Sequence, residues 1–134
     1  MHINGSCLCG RVTYEADVDP DHVGICHRTD CQKLTGSAYR VTVSAPANRF
    51  KITGRSPRKY VKAGDNGHLR LQVFCPDCGS AIYTTGEGED TGEVGIRLGT
   101  VNQRAEITPG YQIWCSSALA WTTSIDKLPE RERD

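Results

Sequence analysis

The chain has 134 residues, with 16 acidic and 16 basic side chains, so its formal net charge is zero. This length suits one domain with a core of ordinary size, and we expect residues 1–134 to form a single domain. The balanced charge argues against a nucleic-acid partner, because such proteins usually carry a basic excess on one face.

The chain shows no targeting or membrane signal. No apolar run is long enough to cross a bilayer. The first 15 residues, MHINGSCLCGRVTYE, lack the basic region and apolar region of a secretory signal. We therefore expect no membrane partner and a cytoplasmic location, where thiols are kept reduced. Seven cysteines in such a chain indicate metal binding or redox chemistry rather than a disulfide framework.

Alternation of apolar and polar residues predicts strands along most of the chain. Polar neighbours separate the apolar residues of each segment, which is typical of half-buried strands. The segments are 12–18, 39–45, 50–53, 58–62, 69–73, 81–85, 94–98 and 107–114. Gly- and Pro-rich turn signals separate them. We predict an all-β domain made of several small antiparallel sheets.

Little else in the chain departs from this pattern. Helix is expected only at 30–34 and, more weakly, at 116–120. The acidic loop GEGEDTGE (86–93) is expected to be a mobile, solvated connection, with a calcium site as the alternative. We expect four aromatic residues to belong to the core, with a pocket wall as the alternative: Trp114, Trp121, Tyr39 and Tyr111.

Two cysteine pairs have the spacing of metal ligands. Cys7 and Cys9 open the chain, and Cys75 and Cys78 lie in the knuckle CPDCG. The Pro of such a knuckle tightens the turn, and its Gly adopts a backbone conformation that lets amide N–H groups point at the thiolates. Four cysteines supply the tetrahedral set that structural Zn²⁺ prefers. The sequence therefore predicts a closed zinc site that links two distant strands.

A third pair, Cys26 and Cys31, lies in GICHRTDCQKLTGSAY. His27 is not expected to bind the same metal as Cys26, because neighbouring residues of an extended segment point to opposite faces. The fixed charge of Arg28 would repel Zn²⁺. The remaining thiol, Cys115, is expected to be a small core residue. The residues alone thus leave this pair without a third ligand.

Four motifs together resemble those of the glutathione-dependent formaldehyde-activating enzymes and their centromere-protein-V relatives. They are GSCLCGRVTYE, CHRTDCQKLTGSAY, FCPDCGSAIY and GYQIWCSSALAW followed by IDKLPE. The resemblance covers nearly the whole chain and implies a β-tent of small sheets around a structural Cys₄ zinc. It assigns that zinc to Cys7, Cys9, Cys75 and Cys78.

The resemblance also implies a carbon–sulfur lyase acting on adducts of a small thiol, such as glutathione, with an aldehyde. The family holds a second, catalytic zinc with three cysteines of a C-H-C-x-x-C stretch. The outer two map to Cys26 and Cys31, which are the candidate catalytic residues and a residual second metal site. The middle cysteine maps to Arg28, so one thiolate of this site is missing.

Three functions follow. The first is the lyase. The second is a non-catalytic module that keeps the structural zinc and binds a small thiol. The third is a redox dithiol of Cys26 and Cys31, which requires a tight turn between them. Arg28 has three possible roles: to bind a substrate carboxylate, to lower the pKa of Cys26 or Cys31, or to face solvent.

Overall fold

The computed structural model describes residues 1–87 and 92–134. The expectations for the acidic loop fall largely on residues 88–91, which lie outside this range. The described strands are β1 (His2–Ser6), β2 (Thr13–Asp17), β3 (Val23–Cys26), β4 (Arg40–Pro46), β5 (Phe50–Ile52), β6 (Arg58–Ala63), β7 (Leu69–Phe74), β8 (Ala81–Gly86), β9 (Glu93–Arg97) and β10 (Tyr111–Ile113). One α-helix, α1 (Thr29–Thr35), is present in the described part of the chain.

The strands form two sheets. The small sheet has the order β1-β2-β5 and is antiparallel. The large sheet has the order β10-β3-β4-β9-β8-β7-β6. All its neighbours are antiparallel except β10 and β3, which run parallel. The prediction of a mainly-β fold is confirmed, although the second sheet is larger and more mixed than the small antiparallel sheets expected from the sequence.

One core cluster contains buried residues of both sheets. In β2, Tyr14 and Ala16 are buried while Glu15 is exposed, as the alternation predicted. The Tyr14 ring packs against Phe50, and its hydroxyl is 2.9 Å from the Thr100 hydroxyl. The small sheet is therefore joined to the segment that follows β9.

Two strands were not predicted from the sequence, β1 and β3. β1 reads HINGS, and its Gly5 interrupts the alternation. A Cβ at Gly5 would overlap the Tyr14 ring and the Thr100 carbonyl oxygen, so close packing across the sheet explains the glycine. β3 has only four residues, VGIC, too few to show a period.

Two other predictions differ from the structure in extent. The segment 107–114 forms a strand only at Tyr111–Ile113. The weaker helix expected at 116–120 is wrong as an α-helix, because this region forms 3₁₀ turns at Cys115–Ser117 and Ala120–Thr123. The helix expected at 30–34 is confirmed as α1. It has seven residues, and no helix in the described ranges has the length and apolar character needed to cross a bilayer.

Several residues near the carboxyl end are exposed, which contradicts their expected place in the core. Cys115 is exposed. Tyr111, Trp114 and Trp121 are 42%, 47% and 54% exposed. β10 is an edge strand of the large sheet, and no residue of the segment 111–134 is fully buried. Tyr39, the fourth of these aromatics, is half-buried.

Candidate metal centre and thiol cleft

Four thiols meet at one point of the fold. Cys7 and Cys9 follow β1, and Cys75 and Cys78 follow β7. Their sulfurs all lie within 4.8 Å of one another. The Sγ atoms of Cys7 and Cys9 are 3.5 Å apart, and those of Cys9 and Cys75 are 3.8 Å apart. Zn–S bonds of about 2.3 Å in a tetrahedron require S···S distances of about 3.8 Å, so the cluster fits one zinc ion.

The backbone around the cluster is arranged to favour thiolates. The N–H groups of Val12 and Asp77 donate to the sulfurs of Cys7 and Cys75, at 3.3 and 3.4 Å. Gly79 has φ = +79°, and its N–H donates to the Cys75 carbonyl at 2.9 Å. A residue with a side chain would be strained there, which explains the glycine of the knuckle.

The four thiols do not ionise equally well. A hydrogen bond from the Ser80 side chain lowers the pKa of Cys78 to about 5. The Arg11 N–H favours the Cys9 thiolate, but burial and the three neighbouring thiols outweigh it and raise the pKa of Cys9 to about 11. A divalent cation among the sulfurs would remove this competition, because it binds them all as thiolates.

Further contacts join the two cysteine pairs. The Leu8 N–H donates to the Ser80 hydroxyl at 3.0 Å. The Asp77 carboxylate lies 3.4 Å from Arg11 and 3.2 Å from Arg55. The amino-terminal loop and the β7–β8 turn are therefore held together by polar contacts around the place where a metal would bind.

The second group of thiols is a pair. Cys26 ends β3 and Cys31 lies in α1, and the Cys31 thiol donates to the Cys26 sulfur at 2.9 Å. Cys31 is buried and Cys26 is half-buried. Burial, and then the hydrogen bond with Cys26, raise the pKa of Cys31 to about 11.

Arg28 is largely shielded from solvent and forms ion pairs with two carboxylates. Its guanidinium lies 2.7 Å from Asp65 and 3.4 Å from Asp30, and its side chain is 19% exposed. It also lies over the Trp114 ring, 5.0 Å from the ring centroid. Trp114 has a left-handed backbone (φ = 56°), which is rare for a bulky side chain. The alternative in which Arg28 faces solvent is wrong.

No third metal ligand joins Cys26 and Cys31 within the described ranges, where the Cys₄ cluster is the one group of three or more candidate ligands. The His27 ring nitrogen Nε2 pairs with the Gln112 side chain at 2.8 Å. Asp30 pairs with Lys62 at 3.0 Å, and this hydrogen bond lowers the Asp30 pKa. The residues present therefore do not fit the family's three-thiolate zinc.

Both thiols line a cleft of about 530 Å³. The walls carry more cations than carboxylates: Arg28, Arg40, Lys62 and Arg70 against Asp30 and Asp65. The two carboxylates are taken up by Arg28 and Lys62. The excess positive charge of the cleft thus comes from Arg40 and Arg70, and the cleft suits an anionic ligand.

Two cationic residues of this region, Arg40 and Arg97, were not identified from the sequence. Arg97 is buried in β9 and Arg40 is half-buried in β4. The available signal was a single arginine in the apolar run VGIRL, where a charge at a core position needs a partner. The partner of Arg28, Asp65, lies 37 positions further along, and nothing local in the sequence connects the two.

Comparison with known proteins identifies the fold and the family. A crystal structure of a protein from Rhodobacter sphaeroides matches with a TM-score of 0.61 at 18% identity, over 81% of this chain and 98% of that chain. At this identity the match shows a shared fold. A search of curated proteins gave no match.

The family model described as glutathione-dependent formaldehyde-activating enzyme matches residues 2–117. This range contains the Cys₄ cluster, the Cys26–Cys31 pair and Trp114. It leaves out only the first residue and the exposed carboxyl-terminal segment. The chain therefore belongs to the glutathione-dependent formaldehyde-activating enzyme family.

Proposed function

We propose that this single domain is a carbon–sulfur lyase whose cleft at Cys26 and Cys31 binds adducts of a small thiol with an aldehyde, of the S-hydroxymethylglutathione type. The proposal rests on the thiol pair, which lies in a cationic cleft within the residues that match the family model. A cytoplasmic location suits this chemistry, because thiols stay reduced there.

The reaction needs negative charge to be stabilised on two atoms. When the adduct forms, the thiol sulfur bonds to the aldehyde carbon, the carbonyl π pair moves to oxygen, and the thiol proton ends on that oxygen. The lyase direction is the reverse. Both the thiolate and the oxyanion are anionic, so a fixed positive charge lowers the barrier. Arg40 is suited to this role because no carboxylate pairs with it among the described residues.

The metal in this proposal is structural. The Cys₄ cluster of Cys7, Cys9, Cys75 and Cys78 would hold one Zn²⁺ and link the amino-terminal loop to the β7–β8 turn. A second zinc takes no part in the proposed reaction, because Arg28 stands where the third thiolate would be. Without a second zinc, we expect the site to be a weak catalyst.

The test is the rate at which glutathione combines with formaldehyde, followed by NMR, above the spontaneous rate. The parent protein with one zinc should accelerate adduct formation, and Cys26→Ser and Arg40→Gln should remove the acceleration. Cys115→Ser changes an exposed thiol outside the cleft and serves as the control. If the parent protein gives only the spontaneous rate, the lyase proposal is wrong. The alternative, a non-catalytic module that keeps the structural zinc and binds a small thiol, would then be favoured.

A second candidate function is a redox dithiol, because the Cys26 and Cys31 sulfurs are 2.9 Å apart. A small-molecule disulfide would be reduced to two thiols while the pair becomes a disulfide. Mass-spectrometric mapping of alkylated cysteines before and after incubation with oxidised glutathione tests this. Joint loss of Cys26 and Cys31 labelling, reversed by a reductant, supports the dithiol. Labelling that does not change argues against it.

A further inference from the structure

We propose that a second, larger cleft, which Arg40 also lines, binds a small organic carboxylate with an aromatic or branched apolar body, and that Arg40 and Arg97 hold the carboxylate. This inference goes beyond the proposed lyase activity, although both proposals assign a role to Arg40. It concerns a different cavity, of about 1230 Å³, which shares Leu34, Arg40 and Gln72 with the thiol cleft.

The first observation is a buried arginine that lacks an anion. Arg97 is 7% exposed. Its Nη1 donates to the Thr42 hydroxyl at 2.8 Å, and its Nη2 donates to the Gln72 side-chain oxygen at 2.9 Å. Both acceptors are neutral, and no carboxylate of the described residues forms an ion pair with Arg97. Buried charges are normally paired, so this one indicates a missing partner.

The second observation is that a neighbouring arginine, Arg40, also forms no ion pair with a carboxylate of the described residues. Thr42 of β4 lies opposite Arg97 of β9, so Arg40, two residues along β4, is on the same face. Arg40 Nη1 approaches the same Gln72 oxygen at 3.5 Å. Its Nε is buried and has no hydrogen-bond partner among the residues described. Two guanidinium groups thus share one amide oxygen and keep donors for a further acceptor.

Electrostatics supports the same conclusion. Burial, and then the charge of Arg40, lower the pKa of Arg97 to about 9. Arg97 remains protonated at neutral pH, so the repulsion between the two groups persists in the folded protein. A carboxylate between them would offset both effects, because planar guanidinium groups bind carboxylates with paired hydrogen bonds.

The rest of the cleft is lined largely by aromatic and apolar side chains, which is why we expect the ligand to have an apolar body. Tyr60, Phe74 and Tyr83 line it from β6, β7 and β8, and Tyr39 and Leu98 add further apolar surface. Ligand sites usually combine such surface with a few polar groups that fix orientation. An inorganic anion would use the arginines and leave the aromatic wall exposed, so an organic acid suits the cavity better.

The experiment measures binding to the full chain by isothermal titration calorimetry. The probes are phenylacetate, 3-phenylpropionate and 4-phenylbutyrate, together with the neutral amide of each and with acetate. At least one aromatic acid should bind about tenfold or more tightly than its amide, because the amide lacks the charge that the arginines need. Acetate should bind more weakly than that acid, because it has no apolar body.

Variants locate the site. Arg40→Gln and Arg97→Gln should each weaken binding of the acid about tenfold and leave binding of the amide unchanged. Arg49→Gln removes a charge from an exposed position near the small sheet and should have no effect. Equal binding of acids and amides, no binding of any acid, or tight binding that survives Arg40→Gln would overturn the proposal. If Arg97→Gln does not fold, Arg40→Gln and the acid–amide comparison still decide it.

Discussion

Removal of one ligand from the Cys₄ cluster should reduce the stability of the whole protein. Cys75 is 1% exposed, and its sulfur lies 3.8 Å from that of Cys9, 66 residues earlier in the chain. A zinc ion bound to both would close a loop of that length. The chain-entropy relation for such a link gives about 4 kcal/mol of stabilisation, before any direct contribution from the metal–sulfur bonds.

The expected loss is large compared with the stability of a typical domain, about 5–15 kcal/mol. For a chain of this length, about 4 kcal/mol corresponds to a fall of about 15 °C in the melting temperature. Cys75→Ser should therefore melt at least that much lower than the parent, or fail to fold, because structural zinc binding is itself folding free energy.

The assay is thermal unfolding by circular dichroism, with zinc content measured on the same samples. A strong chelator added to the parent should reproduce the loss seen in Cys75→Ser. The matched control is Cys115→Ser, which removes an exposed thiol and should change the melting temperature by no more than about 2 °C. A Cys75→Ser protein that melts with the parent and retains one zinc per chain would refute the assignment of the cluster.

Two further predictions test the thiol cleft and the core. Arg28→Cys should raise zinc content from about one toward two per chain and increase the rate of glutathione–formaldehyde adduct formation, because three thiolates and a water complete a tetrahedron. A parent that already carries two zincs and matches the variant would contradict this. Tyr14→Phe should cost about 1 kcal/mol at pH 7, because it removes the hydrogen bond to Thr100. Burial raises the Tyr14 pKa to about 12, so the parent should lose stability as pH rises from about 10 to 12. Tyr14→Phe should lose less over the same range, because its remaining loss comes from other buried groups such as Tyr83, whose pKa burial also raises. Urea unfolding at pH 7 and at pH 11.5 measures both effects, and parallel losses in the two proteins would show that Tyr14 is not responsible.

The sequence predicted those parts of the fold that depend on local patterns. Alternation identified β2, β4 and the β6–β9 strands. In β2 and β8 the alternation matches burial of one face, whereas β6 is almost wholly exposed and β9 is buried on both faces. The knuckle CPDCG identified a metal-binding turn, because its Pro and Gly act within five residues. The need of Zn²⁺ for four soft ligands then joined Cys7 and Cys9 to Cys75 and Cys78, and the family resemblance made the same assignment. The 66-residue separation between Cys9 and Cys75 carries no local signal of that contact.

The parts that sequence reasoning missed depend on tertiary contacts. Cys115 and Trp114 lie in an apolar segment that looks like core, but they follow β10 at the edge of the large sheet. The parallel pairing of β10 with β3 places Ile113 beside Cys26, and Trp114 then reaches Arg28. No local pattern predicts which edge strand a distant segment joins.

The contacts of Arg28 also determine what its replacement can reveal. Its charge is offset by Asp65 and Asp30, so it contributes little to the excess positive charge of the cleft. That excess belongs to Arg40 and Arg70, which an Arg28→Cys change leaves in place. Asp65 is 74% exposed, so the loss of its partner should cost at most about 1 kcal/mol. The variant therefore adds a thiolate and removes one cation, which leaves Asp65 without its partner, while Arg40 and Arg70 stay in place. A gain in rate would then report on the restored ligand, whereas the Arg40→Gln variant reports on the charge.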